Sequence, residues 1–172
     1  MYYETLFRRL NEYGVKYVVC GGVAVILHGV DRYTKDTDLL VDLAPANLAR
    51  LWDALATMGY KPVRPVSRER FVSRGCVRWL REEKHAVVFS FAIPEYSFLS
   101  IDVMIESPVT YQEAKKRAAK ARMDSLTIPL VSIQDLIRMK EKAQREKDLS
   151  DIRALKQVRK VRDHAGKRKK KS

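Results

Sequence analysis

The 172 residues predict an α+β domain: a small mixed β-sheet flanked by helices, with further helices at the C-terminus. Three observations carry that reading. A strand, a helix and a second strand open the chain between Tyr17 and Val41. A run of strand-like segments fills the middle. From Ser132 onward the apolar residues keep helical spacing and the charge turns strongly basic.

The elements follow in order. Residues 2–13 place Leu6 and Leu10 one turn apart, predicting a short amphipathic helix that Gly14 ends. Tyr17-Val18-Val19-Cys20 is apolar throughout, as in a strand in the middle of a sheet. Val23 to Leu27 is apolar on every face, which predicts a buried helix. The next strand opens with Asp36-Thr37-Asp38. Pro45 suits a helix start, Leu48, Leu51, Trp52, Leu55 and Met58 keep helical spacing, and Gly59 closes the segment. Residues 60–75 are rich in Arg and Pro and show little periodicity. Val77 to Leu80, Ala86 to Ile93 and Phe98 to Ile105 read as three strands, with Trp52 and Trp79 in the core or on a sheet face. Pro108 begins a loop before a basic helix near Tyr111 to Ala119, and Leu126 to Val131 reads as a short extended piece. Ser132-Ile133-Gln134-Asp135 looks like a capping-box start. A last helix runs from about Glu146, with Leu149, Ile152, Leu155 and Val158 facing inward. The expected organisation is a core over 1–131, a helical extension of the same domain over 132–165, and a disordered polybasic tail over 166–172.

Composition narrows the function. The apolar fraction of 46% supports a real core. The net charge of +13 is concentrated at one end: Leu155 to Ser172 holds nine Lys/Arg and a single Asp. Such a run attracts polyanions, RNA among them. Cys20 and Cys76 have no metal-ligand spacing around them, which argues against structural zinc. The N-terminus does not read as a signal peptide, and no stretch is apolar enough for a membrane span, so the expectation is a cytoplasmic protein with no membrane partner.

Asp36 and Asp38 are the centre of the sequence. Strand side chains alternate, so both carboxylates share one face while Thr37, Leu39 and Val41 face the other. Two carboxylates beside an apolar core need a positive neighbour, and hard divalent cations take carboxylate oxygens. Asp102 is a lone acid in Ile101-Asp102-Val103-Met104, which suggests a buried functional acid rather than an edge-strand surface residue. If its strand lies beside Asp36/Asp38, the three acids could hold two Mg²⁺ (or Mn²⁺) ions. The Gly21-Gly22 pair, between strand and helix, leaves room for phosphate to approach backbone N–H groups. Arg32, just before the acids, is a candidate for triphosphate or a surface turn residue. Lys35 and Thr34 are weaker candidates, and His28 reads as a packed core histidine. Lys140 lies on the apolar side of its helix, and Lys147 with Asp151 reads as an ordinary surface pair.

The glycine pair, the helix and Asp-x-Asp together resemble the signature of the DNA polymerase β-type nucleotidyltransferase superfamily. The form Gly21-Gly22-x-Ala24…Gly29-x-x-Arg32-x-Thr34-x-Asp36-x-Asp38 resembles its small bacterial branch, which includes AbiEii-like toxin nucleotidyltransferases and the aminoglycoside and lincosamide nucleotidyltransferases. Asp102 matches the third acid. The element Lys140…Arg145-Glu-Lys147-Asp148-Leu-Ser-Asp151 is similar to the Lys…Lys-Asp-Leu-x-Asp of AbiEii-like proteins. The superfamily often has Gly-Ser where this chain has Gly21-Gly22. The resemblance implies a nucleotidyltransferase fold and transfer of a nucleoside monophosphate from an NTP to a hydroxyl. It assigns Asp36, Asp38 and Asp102 to metal and catalysis, and Gly21, Gly22, Arg32, Lys140, Lys147 and Asp148 to the nucleotide. The basic charge points to RNA, tRNA included, or protein as acceptor, and the AbiEii-like resemblance to a toxin with an antitoxin partner. The alternative is a catalytically silent module of the same fold that binds RNA or a protein.

Overall fold

The computed structural model describes residues 2–169. Helix α1 (Tyr2–Glu12) leads to strand β1 (Tyr17–Cys20), helix α2 (Gly21–Leu27), strand β2 (Thr37–Val41) and helix α3 (Pro45–Ala56). The middle holds β3 (Lys61–Pro62), α4 (Arg68–Phe71), α5 (Cys76–Glu82), β4 (Val88–Ile93) and β5 (Tyr96–Met104). Then come α6 (Tyr111–Lys116), β6 (Ala119–Met123), β7 (Leu126–Leu130), α7 (Ile133–Ala143) and α8 (Glu146–Lys169). The seven strands form one mixed sheet in the order β3-β4-β5-β2-β1-β7-β6.

The opening unit has the expected element order but not the strand direction that a βαβ unit implies. Cys20 at the end of β1 pairs with Asp38 at the start of β2, so the two strands are antiparallel. The chain leaves α2 through Gly29, at φ +99°, and returns to the same end of the sheet. The parallel neighbour of β2 is β5, with Thr37, Asp38 and Leu39 opposite Ile101, Asp102 and Val103. Asp102 therefore stands on an interior strand, not an edge.

One sheet face is closed by aromatic packing. Phe89 and Phe91 alternate inward along β4 and meet Phe71 of α4, at 4.8 and 5.5 Å between ring centroids. Trp52 of α3 lies 5.6 Å from Phe91. Farther along, Phe7 of α1 stacks on Tyr17 of β1 at 6.0 Å. On the other face, α2 and α7 cover only part of the sheet.

Several expectations change. Val77 to Leu80 is part of α5, not a strand: Cys76 and Leu80, four apart, are the buried pair, while Arg78 and Arg81 flank them. The basic helix stops at Lys116, and the following residues form β6, which hairpins onto β7. Leu149 is 55% exposed, whereas Ile152 and Leu155 are buried as expected. The backbone stays helical to Lys169, where a tail without structure was expected from 166, and residues 170–172 lie outside the described residues. Among the described residues no helix is long and apolar enough to cross a membrane.

Candidate active site

The strand register assembles the site. Cys20, Asp38, Asp102 and Ser90 lie opposite one another across β1, β2, β5 and β4, and directly paired residues share a face. Asp36 precedes β2 on the same face, and the Ser100 hydroxyl donates to its Oδ1 at 2.9 Å. Asp36, Asp38 and Asp102 are thus brought together as the alternation suggested. Ser90 and Ser100 join them, donating to Asp102 and Asp36. Thr37 faces the opposite side and is fully buried.

The electrostatics of this row are unfavourable without a cation. Burial pushes the Asp38 carboxyl up to about 6, and the Asp102 charge adds to that, against the opposing hydrogen bond from the Gly22 N–H. Burial raises Asp102 as well, partly offset by Ser90. Oxygen-only donors of this kind suit a hard divalent ion. Among the described residues no three His, Cys, Asp or Glu side chains close into a metal cage.

The glycines make the geometry possible. A Cβ on Gly21, whose φ is +59°, would sit 1.7 Å from Asp38 Oδ2. A Cβ on Gly22 would lie 2.5 Å from Thr34 Oγ1. Asp38 and Thr34 thus fold over a bare backbone, and the Gly-Ser form could not be built here without moving Thr34.

The C-terminal helices reach the site through a buried ion network. Lys140 Nζ, 5% exposed, lies 3.2 Å from Asp148 Oδ1 and 2.6 Å from Asp151 Oδ2. Arg32 also pairs with Asp151, and Arg145 Nε with Asp148 at 2.8 Å. Arg32 is therefore neither open to solvent nor a simple turn residue, and Asp151 is buried rather than half of a surface pair with Lys147. Lys147 is exposed. Arg145, which sequence reasoning did not single out, lines a cleft of about 90 Å³ with Gly21, Asp38, Met104, Met139 and Lys140, and its charge lowers the Asp38 pKa. Only its position in the tight turn at Gln144, φ +51°, distinguishes it, and sequence spacing does not show that turn. His28 is a core residue, 2% exposed, with Nε2 2.8 Å from the Val131 carbonyl.

A family model described as "Nucleotidyltransferase of unknown function (DUF6036)" matches residues 4–163. Among solved structures, the lincosamide antibiotic adenylyltransferase LnuA, with lincomycin bound, is 18% identical, with a TM-score of 0.57 over 87% of this chain and 90% of its own. ANT(2")-Ia in complex with adenylyl-2"-tobramycin is 13% identical, with a TM-score of 0.58 over 96% and 95%. An antigenic nucleotidyltransferase-like protein from Paracoccidioides brasiliensis is 17% identical, with a TM-score of 0.53 over 87% and 71%. At these identities the likeness is one of fold. No curated protein sequence matches the chain.

Proposed function

The chain belongs to this nucleotidyltransferase family, and we propose that it transfers a nucleoside monophosphate from an NTP to a hydroxyl acceptor, with Mg²⁺ or Mn²⁺ held by Asp36, Asp38 and Asp102. The observation that carries the reading is the pairing of Asp38 with Asp102 across parallel strands, with Asp36 beside them and a bare Gly21-Gly22 backbone against Asp38. When bound, the metal neutralises triphosphate charge and makes an acceptor hydroxyl easier to deprotonate. Asp38, deepest of the three, fixes the centre of the site. Asp102, half-buried and held by Ser90, is the acid we assign to receive the acceptor's proton. Ser100 orients Asp36. Arg145 is the cation we assign to the triphosphate. Arg32, Lys140, Asp148 and Asp151 serve it indirectly, by tying the loop before the acids to α7 and α8. Lys147, exposed at the start of α8, remains a proposed nucleotide contact.

The three acids and their serine supports favour an enzyme over a silent module. A toxin role with an antitoxin rests on the Lys140-to-Asp151 element alone, and growth arrest on expression of the wild type but not of Asp38→Ala is its test. The deciding experiment incubates the protein with each labelled NTP, Mg²⁺ and separated cellular RNA, protein and small-molecule fractions. Wild type should label one fraction. Asp38→Ala and Asp102→Asn should cut labelling by on the order of 100-fold or more, because several kcal/mol of transition-state stabilisation is removed. Equal labelling by Asp38→Ala would falsify the reading.

A further inference from the structure

The sheet face that carries the acids is covered on one side only. Toward β1 it is closed: Val18, Cys20 and Leu40 are between 0% and 3% exposed. Past Asp102 it opens. Ser90 and Ala92 of β4 and Ser100 and Met104 of β5 are half-buried, and Val88, opposite Met104, is 37% exposed. Beside this strip lies a hollow of about 580 Å³, walled by Val87, Met104, Pro108, Met139 and Ala143. Clefts that take drug-sized ligands run from about 300 to about 1,000 Å³. Met104, Met139 and Ala143 also line the cleft against Asp38, so the hollow adjoins the cleft at the acids.

Its chemistry is close to charge balance. Apart from Asp102, the strip carries only apolar and hydroxyl side chains, and the hollow beside it holds Arg81, Lys142 and Glu106, one net positive charge. Of the charged residues around the hollow, Arg81 is committed to the Ile105 carbonyl through two hydrogen bonds, at 3.0 and 2.7 Å. Glu106 and Lys142 contribute one charge of each sign. A polycation would want acids here and an RNA strand would want cations. The cations Arg138, Lys156 and Arg159 instead line a separate hollow with Gln134 and Glu141. On α7, Gln134, Arg138 and Glu141 lie opposite Leu136, Met139, Lys140 and Ala143, which line the cleft with Asp38, while Lys156 and Arg159 belong to α8.

We infer that the acceptor is a small amphipathic alcohol with little net charge, docked on the open β4–β5 strip with its apolar part against Val88, Met104 and Met139 and its hydroxyl toward Asp102. The inference rests on the transferase reading. In the step, the alcohol oxygen bonds to the α-phosphorus of the NTP, the bond from that phosphorus to the bridging oxygen breaks, pyrophosphate leaves, and Asp102 receives the hydroxyl proton.

The test measures pyrophosphate release and label transfer with Mg²⁺ and NTP in water alone, then with phenyl β-glucoside, hexyl β-glucoside, tobramycin or a short single-stranded RNA. Phenyl or hexyl glucoside should raise Asp38-dependent release at least tenfold over water and become labelled, while tobramycin and RNA do neither. Val88→Arg should lose that stimulation at least tenfold, with the nucleotide KM in water unchanged within twofold. Val88→Asn repeats the test if the arginine variant does not fold. Stimulation by RNA or tobramycin but by neither alcohol overturns the inference, as does stimulation by none of the four. A raised nucleotide KM in Val88→Arg also overturns it, by putting the nucleoside on this strip. If no Asp38-dependent pyrophosphate appears even in water, it is the transferase reading itself that fails.

Discussion

Gly21 and Asp38 occupy space that only one side chain can fill. A methyl group at Gly21 would coincide with the Asp38 carboxylate, 1.7 Å from Oδ2. Gly21→Ala must therefore swing Asp38 away from Asp102. It also holds an L-residue in the left-handed region, at a cost of roughly 1–2 kcal/mol. We expect a folded protein with a modestly lower melting temperature and almost no transfer, and activity assays beside a thermal melt check both. Asp38 itself is kept charged at a loss. Its carboxyl, raised by burial and then by Asp102, contributes stability below the ordinary carboxylate range, and that stability is lost as pH rises toward about 6. A shift of this size costs roughly 3 kcal/mol at neutral pH without a cation. Asp38→Asn, which still accepts from Gly22, should raise the melting temperature at pH 7 and abolish the stabilisation that Mg²⁺ gives the wild type. A lower melting temperature at pH 7 would mean that Asp38 is not strained by its charge. The Asp pair was legible because alternation is local. Ser100 shares the face of Asp102 by the same alternation, but its bond to Asp36 and the place of Ser90 depend on a register set by strands far apart in sequence.

At the scale of elements, α7 and α8 are fastened to the site by charge. Asp151 faces both Lys140 and Arg32, and Asp148 faces Lys140 and Arg145. Removing one partner of a buried ionic group strands the others, typically at about 3–5 kcal/mol. Asp151→Ala should destabilise the protein by that order. It should also raise hydrogen exchange in α8 and in residues 28–36 together. Exchange confined to α8 would show that Arg32 does not transmit the coupling. Acid should act in the same way. Burial pushes the Asp148 carboxyl up, but hydrogen bonds from Arg145 and Lys140 outweigh it and leave its pKa lowered. The stability it contributes is present above the ordinary carboxylate value and is lost as pH falls through its depressed range. The helices themselves were readable from spacing and from the Ser132 cap, whose hydroxyl accepts from Asp135 N. What misled was a short apolar run: Val77 to Leu80 fits strand or helix alike, and only packing of Cys76 and Leu80 decides. The hairpin of β6 and β7 hid behind basic residues that point to solvent from an edge strand.

Across the whole molecule, charge and chemistry are separated. The net charge of +13 suggested RNA as acceptor, yet nine of the Lys/Arg residues fall after Ala154, while the open strip beside Asp102 is neutral. The sequence places the cations at one end, but not the absence of cations from the strip beside Asp102, which depends on how β4 and β5 pair with β2. RNA should therefore bind as a polyanion without being a substrate. Deleting Lys167 to Ser172 removes five cations. Single-stranded nucleic acid gives a salt slope of about 0.7 per neutralised phosphate, so the deletion should flatten that slope by up to about 3.5. Turnover of NTP should not change, and Asp38→Ala should bind RNA as the wild type does. Fluorescence anisotropy with labelled RNA across a salt series, run beside the transfer assay, measures both quantities on the same preparations. A truncation that keeps the full salt slope would move RNA binding onto the body of the protein. A truncation that loses transfer along with RNA binding would join the two functions and restore RNA as the acceptor.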